Sequence, residues 1–185
     1  MRILATDLPE IKLIEPRVFT DRRGYFFDIY QALGYSDHGI EARFVQDSLS
    51  YSLHGVVRGL HYQLRRPQGK LITVLQGEVI DVVVDIRLGS KNFARWTKNL
   101  LSADNHRQLF VPPGFAHGFT VISEAAAILY KCTDYYDPLD EYGILWNDSH
   151  LGIDWPVTAH ILSDKDARLP LLRDVPDNLL PQLTD

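Results

Sequence analysis

From Glu78 to Ile86 the chain reads Glu-Val-Ile-Asp-Val-Val-Val-Asp-Ile, with Ile80, Val82, Val84 and Ile86 on one side of an extended strand. β-Branched side chains are stiff at χ1 and pack on a pleated surface more readily than in a helix. Leu71-Ile72-Thr73-Val74-Leu75 forms a second such run, and Gln76-Gly77 between the two reads as the turn of a hairpin. Further strands are expected over 55–63, 108–111, 118–122 and 125–133, and brief helices only over 31–37, around Asp104 and after Ser163. Twelve glycines and ten prolines punctuate the chain too often for long helices to intervene between strands. The pattern predicts a sandwich, jelly roll or small barrel, whose interior forms a pocket lined by alternate side chains.

A length of 185 residues fits one domain, large enough to bury about 70% of its unfolded surface without disulfide or metal. No internal repeat or low-complexity linker divides it. With 45% apolar and 23% charged residues, a disordered chain, a collagen and a disulfide mini-protein are excluded. Cys132 is the sole cysteine, so no internal disulfide can form. No stretch approaches the ~20 apolar residues that cross a bilayer, and the first seven residues lack a signal-peptide core. A soluble cytoplasmic protein with no membrane partner is therefore expected. Net charge is −5, concentrated from Asp134 onward, where eleven acidic residues face three basic ones. That balance argues against a general nucleic-acid binder, yet a few inward Arg and Lys could still hold a small phosphorylated ligand.

Reactive side chains concentrate in three segments, 55–63, 111–119 and 129–138. Pro112-x-Gly114-x-x-His117 resembles the second motif of the cupin superfamily. In the place of that superfamily's His-x-His stands His61-Tyr62-Gln63, with no glutamate close behind. Catalytic zinc and iron ordinarily need three protein ligands, so the resemblance supports the barrel and argues against a metal. The alternative is metal-free acid–base chemistry. A histidine can take a proton from carbon near neutral pH, a lysine can stabilise the enolate, and a buried tyrosine can return a proton from the other face. His61, Lys70 and Tyr130 are the candidates.

The order of motifs is more specific than any one of them. Asp21-Arg22-Arg23-Gly24-Tyr25-Phe26, Gln46-Asp47, Val57-Arg58-Gly59-Leu60-His61 and Gln68-Gly69-Lys70-Leu71 come first. Gly114-Phe115-Ala116-His117-Gly118-Phe119, Tyr130-Lys131-Cys132-Thr133 and Gly152-Ile153-Asp154-Trp155-Pro156 follow. In this succession the chain resembles the dTDP-4-dehydrorhamnose 3,5-epimerase family, from Glu15-Pro16 to Asp166. The resemblance implies a cofactor-independent, metal-free cupin jelly roll acting on a dTDP-sugar, and a homodimer in which N-terminal strands pair across the interface. It implies His61 as base with Asp166 orienting it, Tyr130 as acid and Lys70 on the enolate oxygen. Arg23 and Arg58 match diphosphate positions, and His117, Glu141 and Lys165 other ligand contacts. Gln46 and Asp47 begin a nucleotide-contacting segment, and Tyr136 matches a base-stacking position. Two departures also fall on nucleotide contacts: Asp28 stands where the family has glutamate, and Ser48 where it has asparagine. The single domain 1–185 then divides into N-terminal strands over 1–50, a barrel core over 51–133 and an extension over 134–185.

Residue types alone leave a structural alternative at each position. Arg58 and His61 have opposite parity on a regular strand, so both can face one pocket only if Gly59 permits a bulge. Ser163-x-x-Asp166 could cap a short helix. Tyr130 could be a core tyrosine, Lys70 and Arg23 turn residues, and His117 a loop anchor. His106, His150 and His160 match nothing and read as surface residues. Three rival functions remain: an epimerase of one carbon only, a metal-dependent cupin enzyme, and a non-catalytic sugar-nucleotide binding module.

Overall fold

The computed structural model describes residues 1–156 and 160–183. Five N-terminal strands are β1 (Arg2–Leu4), β2 (Lys12–Glu15), β3 (Phe19–Asp21), β4 (Gly24–Phe26) and β5 (Gln46–Leu53). Then come β6 (Val57–Gln63), β7 (Lys70–Gln76), β8 (Glu78–Asp85), β9 (Trp96–Ser102) and β10 (Gln108–Val111). The remaining strands are β11 (Phe115–Val121), β12 (Ala125–Cys132) and β13 (Glu141–Gly143). They form two antiparallel sheets, ordered β1-β2-β10-β7-β12-β5 and β13-β6-β11-β8-β9, while β3 and β4 make a separate ribbon. The all-β class is the one expected from the alternating runs, and the jelly roll is the member of it that the resemblance implies.

Period-2 patterning decides what each face of a strand buries. Ile72, Val74, Leu109 and Ile128 of the first sheet meet Val79, Val83, Leu101 and Phe119 of the second in the central core. The second sheet is apolar on its other face as well, where Val82, Val84 and Ile86 lie under Leu151, Leu172, Val175 and Leu180 of the C-terminal extension. Burying each such side chain contributes about 1.5–3 kcal/mol, so the extension is held to the sheet chiefly by these contacts. Ile14, Leu71 and Phe110 on the outside of the first sheet are covered by Tyr35 and Ile40.

β7 and β8 do not pair, contrary to the hairpin expected from Gln76-Gly77. β7 lies between β10 and β12 in one sheet, and β8 between β11 and β9 in the other. Gly77, at φ +77°, is the single residue on which the chain crosses from sheet to sheet. A Cβ there would stand 2.0 Å from the Ala125 carbonyl oxygen, so the corner closes only around glycine. The helix expected near residues 31–37 is present as α1 (Ala32–Ser36), where the Gln31 side chain caps the Gly34 amide at 2.6 Å. The one expected around Asp104 is only a turn. Ser102 and Asn105 exchange side-chain and backbone hydrogen bonds across it, and His106 at φ +55° ends it. After Ser163 the helices are 3₁₀ turns: Asp166–Arg168, Leu172–Asp174 and Asp177–Leu179.

Candidate active site

At one end the two sheets enclose a cavity of about 610 Å³, of the size that holds small-molecule ligands. His61, Lys70, Tyr130 and Asp166 line it, as do Gln46, Ser48, Arg58, His117, Tyr136, Glu141 and Lys165. β6 brings Arg58 and His61 there together despite their opposite parity. His117 on β11 faces His61 and Phe119 faces Arg58, so two steps on β11 span three on β6. The extra residue is accommodated at Gly59, φ +115°, where a Cβ would lie 2.7 Å from both Gly118 Cα and the His117 oxygen.

His61 Nε2 lies 2.7 Å from Asp166 Oδ1. Asp166 reaches this position because Ile161 is bonded to β6, its amide donating to Gly55 O and its carbonyl accepting from Val57 N. The Ser163 hydroxyl accepts from the Asp166 amide at 3.1 Å, but the 3₁₀ turn that follows has Lys165 at its N-cap with no side-chain cap, and the Asp166 carboxylate goes to His61. Burial works against the Asp166 charge, but the hydrogen bond and charge of His61 outweigh it and hold the carboxyl below its ordinary range. The other ring nitrogen, Nδ1, is 3.6 Å from Glu141 Oε1. Glu141 accepts from Tyr136 at 2.7 Å and pairs with Lys165. Its carboxyl too lies below the ordinary value, because those partners overcome burial.

The opposite wall comes from the other sheet. Tyr130 on β12 is pushed well above an ordinary phenol by burial, and its hydroxyl lies 3.1 Å from Ser50 Oγ. Lys70 on β7 stands opposite Cys132, and burial pulls its ammonium down from the usual lysine value. On the same sheet as His61, His117 of β11 is buried with Nε2 2.8 Å from Asp81 Oδ2 of β8. Asp81 is wholly buried and shifted up by burial, with His117 and Lys70 opposing the shift. It was absent from the candidates drawn from the sequence. The available signal was a lone acid between Val79 and Val83, on the parity that faces inward.

Three sequence candidates lie away from the cavity. Arg23 sits in the turn of the β3–β4 ribbon, paired with Asp21 at 2.6 Å, and Asp28 is exposed just beyond it. Asp47 points to the outer side of β5, where it pairs with Lys131 at 2.8 Å. Ser48 faces inward and accepts from the Gln46 side chain at 2.9 Å. Of the three histidines read as surface residues, His150 is exposed. His106 instead packs against Tyr25 and Phe27, and His160 lies on Trp146 with ring centroids 4.0 Å apart. No group of three or more His, Cys, Asp or Glu among the described residues is placed to hold a metal ion.

An imidazole and a phenol from opposed sheets can address the two faces of one planar carbon, with an ammonium beside them for an oxygen anion. The family described as dTDP-4-dehydrorhamnose 3,5-epimerase matches residues 5–174. The dTDP-4-dehydrorhamnose 3,5-epimerase of Pseudomonas aeruginosa is 50% identical over 168 residues, covering 90% of this chain and 93% of that one. A Neisseria gonorrhoeae protein of the same description is 50% identical over 167 residues, 90% of this chain, which spans only 51% of that relative's length. Among solved structures, a Legionella pneumophila dTDP-6-deoxy-D-glucose-3,5-epimerase in complex with dTDP-4-keto-L-rhamnose superimposes with TM-score 0.97 at 49% identity. That superposition covers 100% of this chain and 99% of the other.

Proposed function

The chain belongs to the dTDP-4-dehydrorhamnose 3,5-epimerase family, and from that premise we propose how its residues invert C3 and C5 of dTDP-4-dehydro-6-deoxy-D-glucose to give dTDP-4-dehydro-L-rhamnose. Both carbons flank the C4 ketone, so one acid–base set serves twice. With Nε2–H donated to Asp166, His61 keeps an unprotonated Nδ1 as the base. The C–H bond breaks, its proton goes to Nδ1 and its electron pair moves onto O4, which Lys70 stabilises. The Tyr130 O–H then breaks and its proton joins the same carbon from the opposite face. The resulting imidazolium lies between the Asp166 and Glu141 carboxylates, which favour the charge it has gained.

Arg58, with Gln46, Ser48, Tyr136 and Lys165, holds the dTDP portion. A homodimer accounts for the rest. In it the β3–β4 ribbon of a second copy, with exposed Phe19, Tyr25 and Phe26, brings Arg23 and Asp28 to the cavity from outside. The unpaired, buried Cys132 fits a reducing compartment, and we assign the protein to the cytoplasm.

One observation carries this function: His61 and Tyr130 belong to different sheets and line the same cavity. Turnover in heavy water tests it. Deuterium is expected at both C3 and C5, and His61→Ala should abolish exchange at both. Label at a single carbon would reduce the activity to a mono-epimerase, and no label would leave a binding module.

A further inference from the structure

β5 has an inverted face. Its sequence, Gln-Asp-Ser-Leu-Ser-Tyr-Ser-Leu, alternates serine with large apolar residues. In a half-buried strand the apolar parity ordinarily turns inward. Here Leu49, Tyr51 and Leu53 are exposed, whereas Ser48, Ser50 and Ser52 are the better-buried residues. Two of these serines have partners that explain them. Ser48 accepts from Gln46 at 2.9 Å, and Ser52 accepts from Arg58 Nε at 3.0 Å. Ser50 lies 3.1 Å from the Tyr130 hydroxyl, which has no other hydrogen-bond partner among the described residues. β5 is also the last strand of its sheet, and Ser50 is only half-buried in the cavity wall.

The reaction creates a need at this point. After Tyr130 has given its proton to carbon it is a phenolate, buried where charge is disfavoured, and it cannot act again until it is reprotonated. His61 holds the abstracted proton on the other side of the sugar and cannot return it directly. We propose that Ser50 is the relay that recharges Tyr130 between the two inversions. The Ser50 O–H breaks as its proton passes to the phenolate, and the serine oxygen takes a proton from a water at the cavity rim. The hydroxide left behind is neutralised by the proton that the His61 imidazolium releases to solvent. Each inversion thus ends with base and acid restored and no net proton consumed.

This inference rests on Tyr130 being the acid of the proposed function, and one experiment separates the two. Wild type, Ser50→Ala and Ser50→Thr are compared in heavy water, with kcat, KM and the distribution of label between C3 and C5 read for each. Ser50→Ala should lower kcat about tenfold with KM within about twofold, because cavity water replaces a positioned hydroxyl only in part. It should also release sugar inverted at one carbon, because the second inversion waits for the acid. Ser50→Thr keeps a hydroxyl and should restore both rate and full inversion. The isosteric pair Ser50→Thr and Ser50→Val repeats the comparison if alanine perturbs the fold. Wild-type kcat and wild-type labelling in Ser50→Ala would overturn the relay, as would Ser50→Thr remaining as slow as Ser50→Ala. Label at a single carbon in wild type would sink the 3,5-epimerase function instead. The kcat ratios of the three proteins would then decide the relay alone, a tenfold loss recovered by threonine supporting it and unchanged rates refuting it.

Discussion

A histidine removes a proton from carbon only if one ring nitrogen is held protonated and the other kept bare. In the proposed mechanism Asp166, 2.7 Å from Nε2, supplies the first condition and leaves Nδ1, 3.6 Å from Glu141 Oε1, unprotonated. In Asp166→Asn the amide can donate to Nε2, which transfers the ring proton to Nδ1 and spoils the base. That variant should lose roughly a hundredfold or more in kcat with little change in KM, measurable by coupling product to an NADPH-dependent reductase. The same carboxylate contributes to stability in a definite pH window. Its folded pKa lies below the unfolded value near 3.9, so its contribution is complete above that value and is lost as pH falls through the folded pKa. The difference in Tm between wild type and Asp166→Asn should therefore be constant from pH 5 to 7, taken as roughly the plateau of that linkage, and shrink below pH 4. A difference that instead widened on acidification would reverse the assigned sign. Asp166 was placed at the site by motif order, since its spacing from Ser163 suited a cap equally well. Asp81 escaped because a single acid in an apolar strand carries no partner in sequence, and His117 lies 36 positions away.

At the scale of elements β6, β7, β8, β10, β11 and β12 were legible, because period-2 patterns and β-branched runs are local, whereas β1 to β5, β9 and β13 were not among the strands expected from such patterns. Pairing was not. The runs ending at Gln76 and starting at Glu78 look like the arms of a hairpin, yet Gly77 sends them to different sheets, and nothing in either run states which neighbours it will meet. β5 was not among the expected strands: its alternation of serine with large apolar residues shows two unlike faces, but not that a polar cavity will claim the serine side. β6 was read correctly in outline, since Gly59 between Arg58 and His61 was the one position where a bulge could reconcile their parity. Gly59→Ala tests that arrangement. The added methyl meets backbone atoms of β11 at 2.7 Å on a residue with φ +115°, and neither strand can give way without losing ladder bonds. The substitution should cost about 2–3 kcal/mol of stability. It should also reduce kcat at temperatures where the protein remains folded, because the shift in register that points Arg58 and His61 into one cavity is lost. Chemical denaturation and steady-state kinetics on the same preparation separate the two effects.

At the scale of the whole molecule, two of the exposed apolar areas among the described residues bear on assembly. Leu49, Tyr51 and Leu53 line the outer face of β5, and Phe19, Tyr25 and Phe26 stand on the β3–β4 ribbon, each about half exposed or more. Monomeric soluble proteins seldom leave such groups together in water. The ribbon also carries Arg23, a diphosphate position by its motif, in a place from which it does not line its own chain's cavity. The proposed dimer, in which each ribbon serves the other copy's cavity, accounts for the exposed ribbon and for the position of Arg23, and it makes a prediction that a cavity complete in one chain cannot. Arg23→Ala alone should raise KM about tenfold to a hundredfold, the loss expected for a charged hydrogen bond to phosphate. His61→Ala alone should be inactive. Unfolding and refolding an equal mixture of the two variants produces hybrid dimers, in which the chain with intact His61 receives the ribbon with intact Arg23. About one site in four should then regain wild-type KM, a component visible in the substrate dependence of the mixed sample. If Arg23 served its own chain's cavity, no hybrid site would hold both residues and the mixture would show only the weak binding of Arg23→Ala.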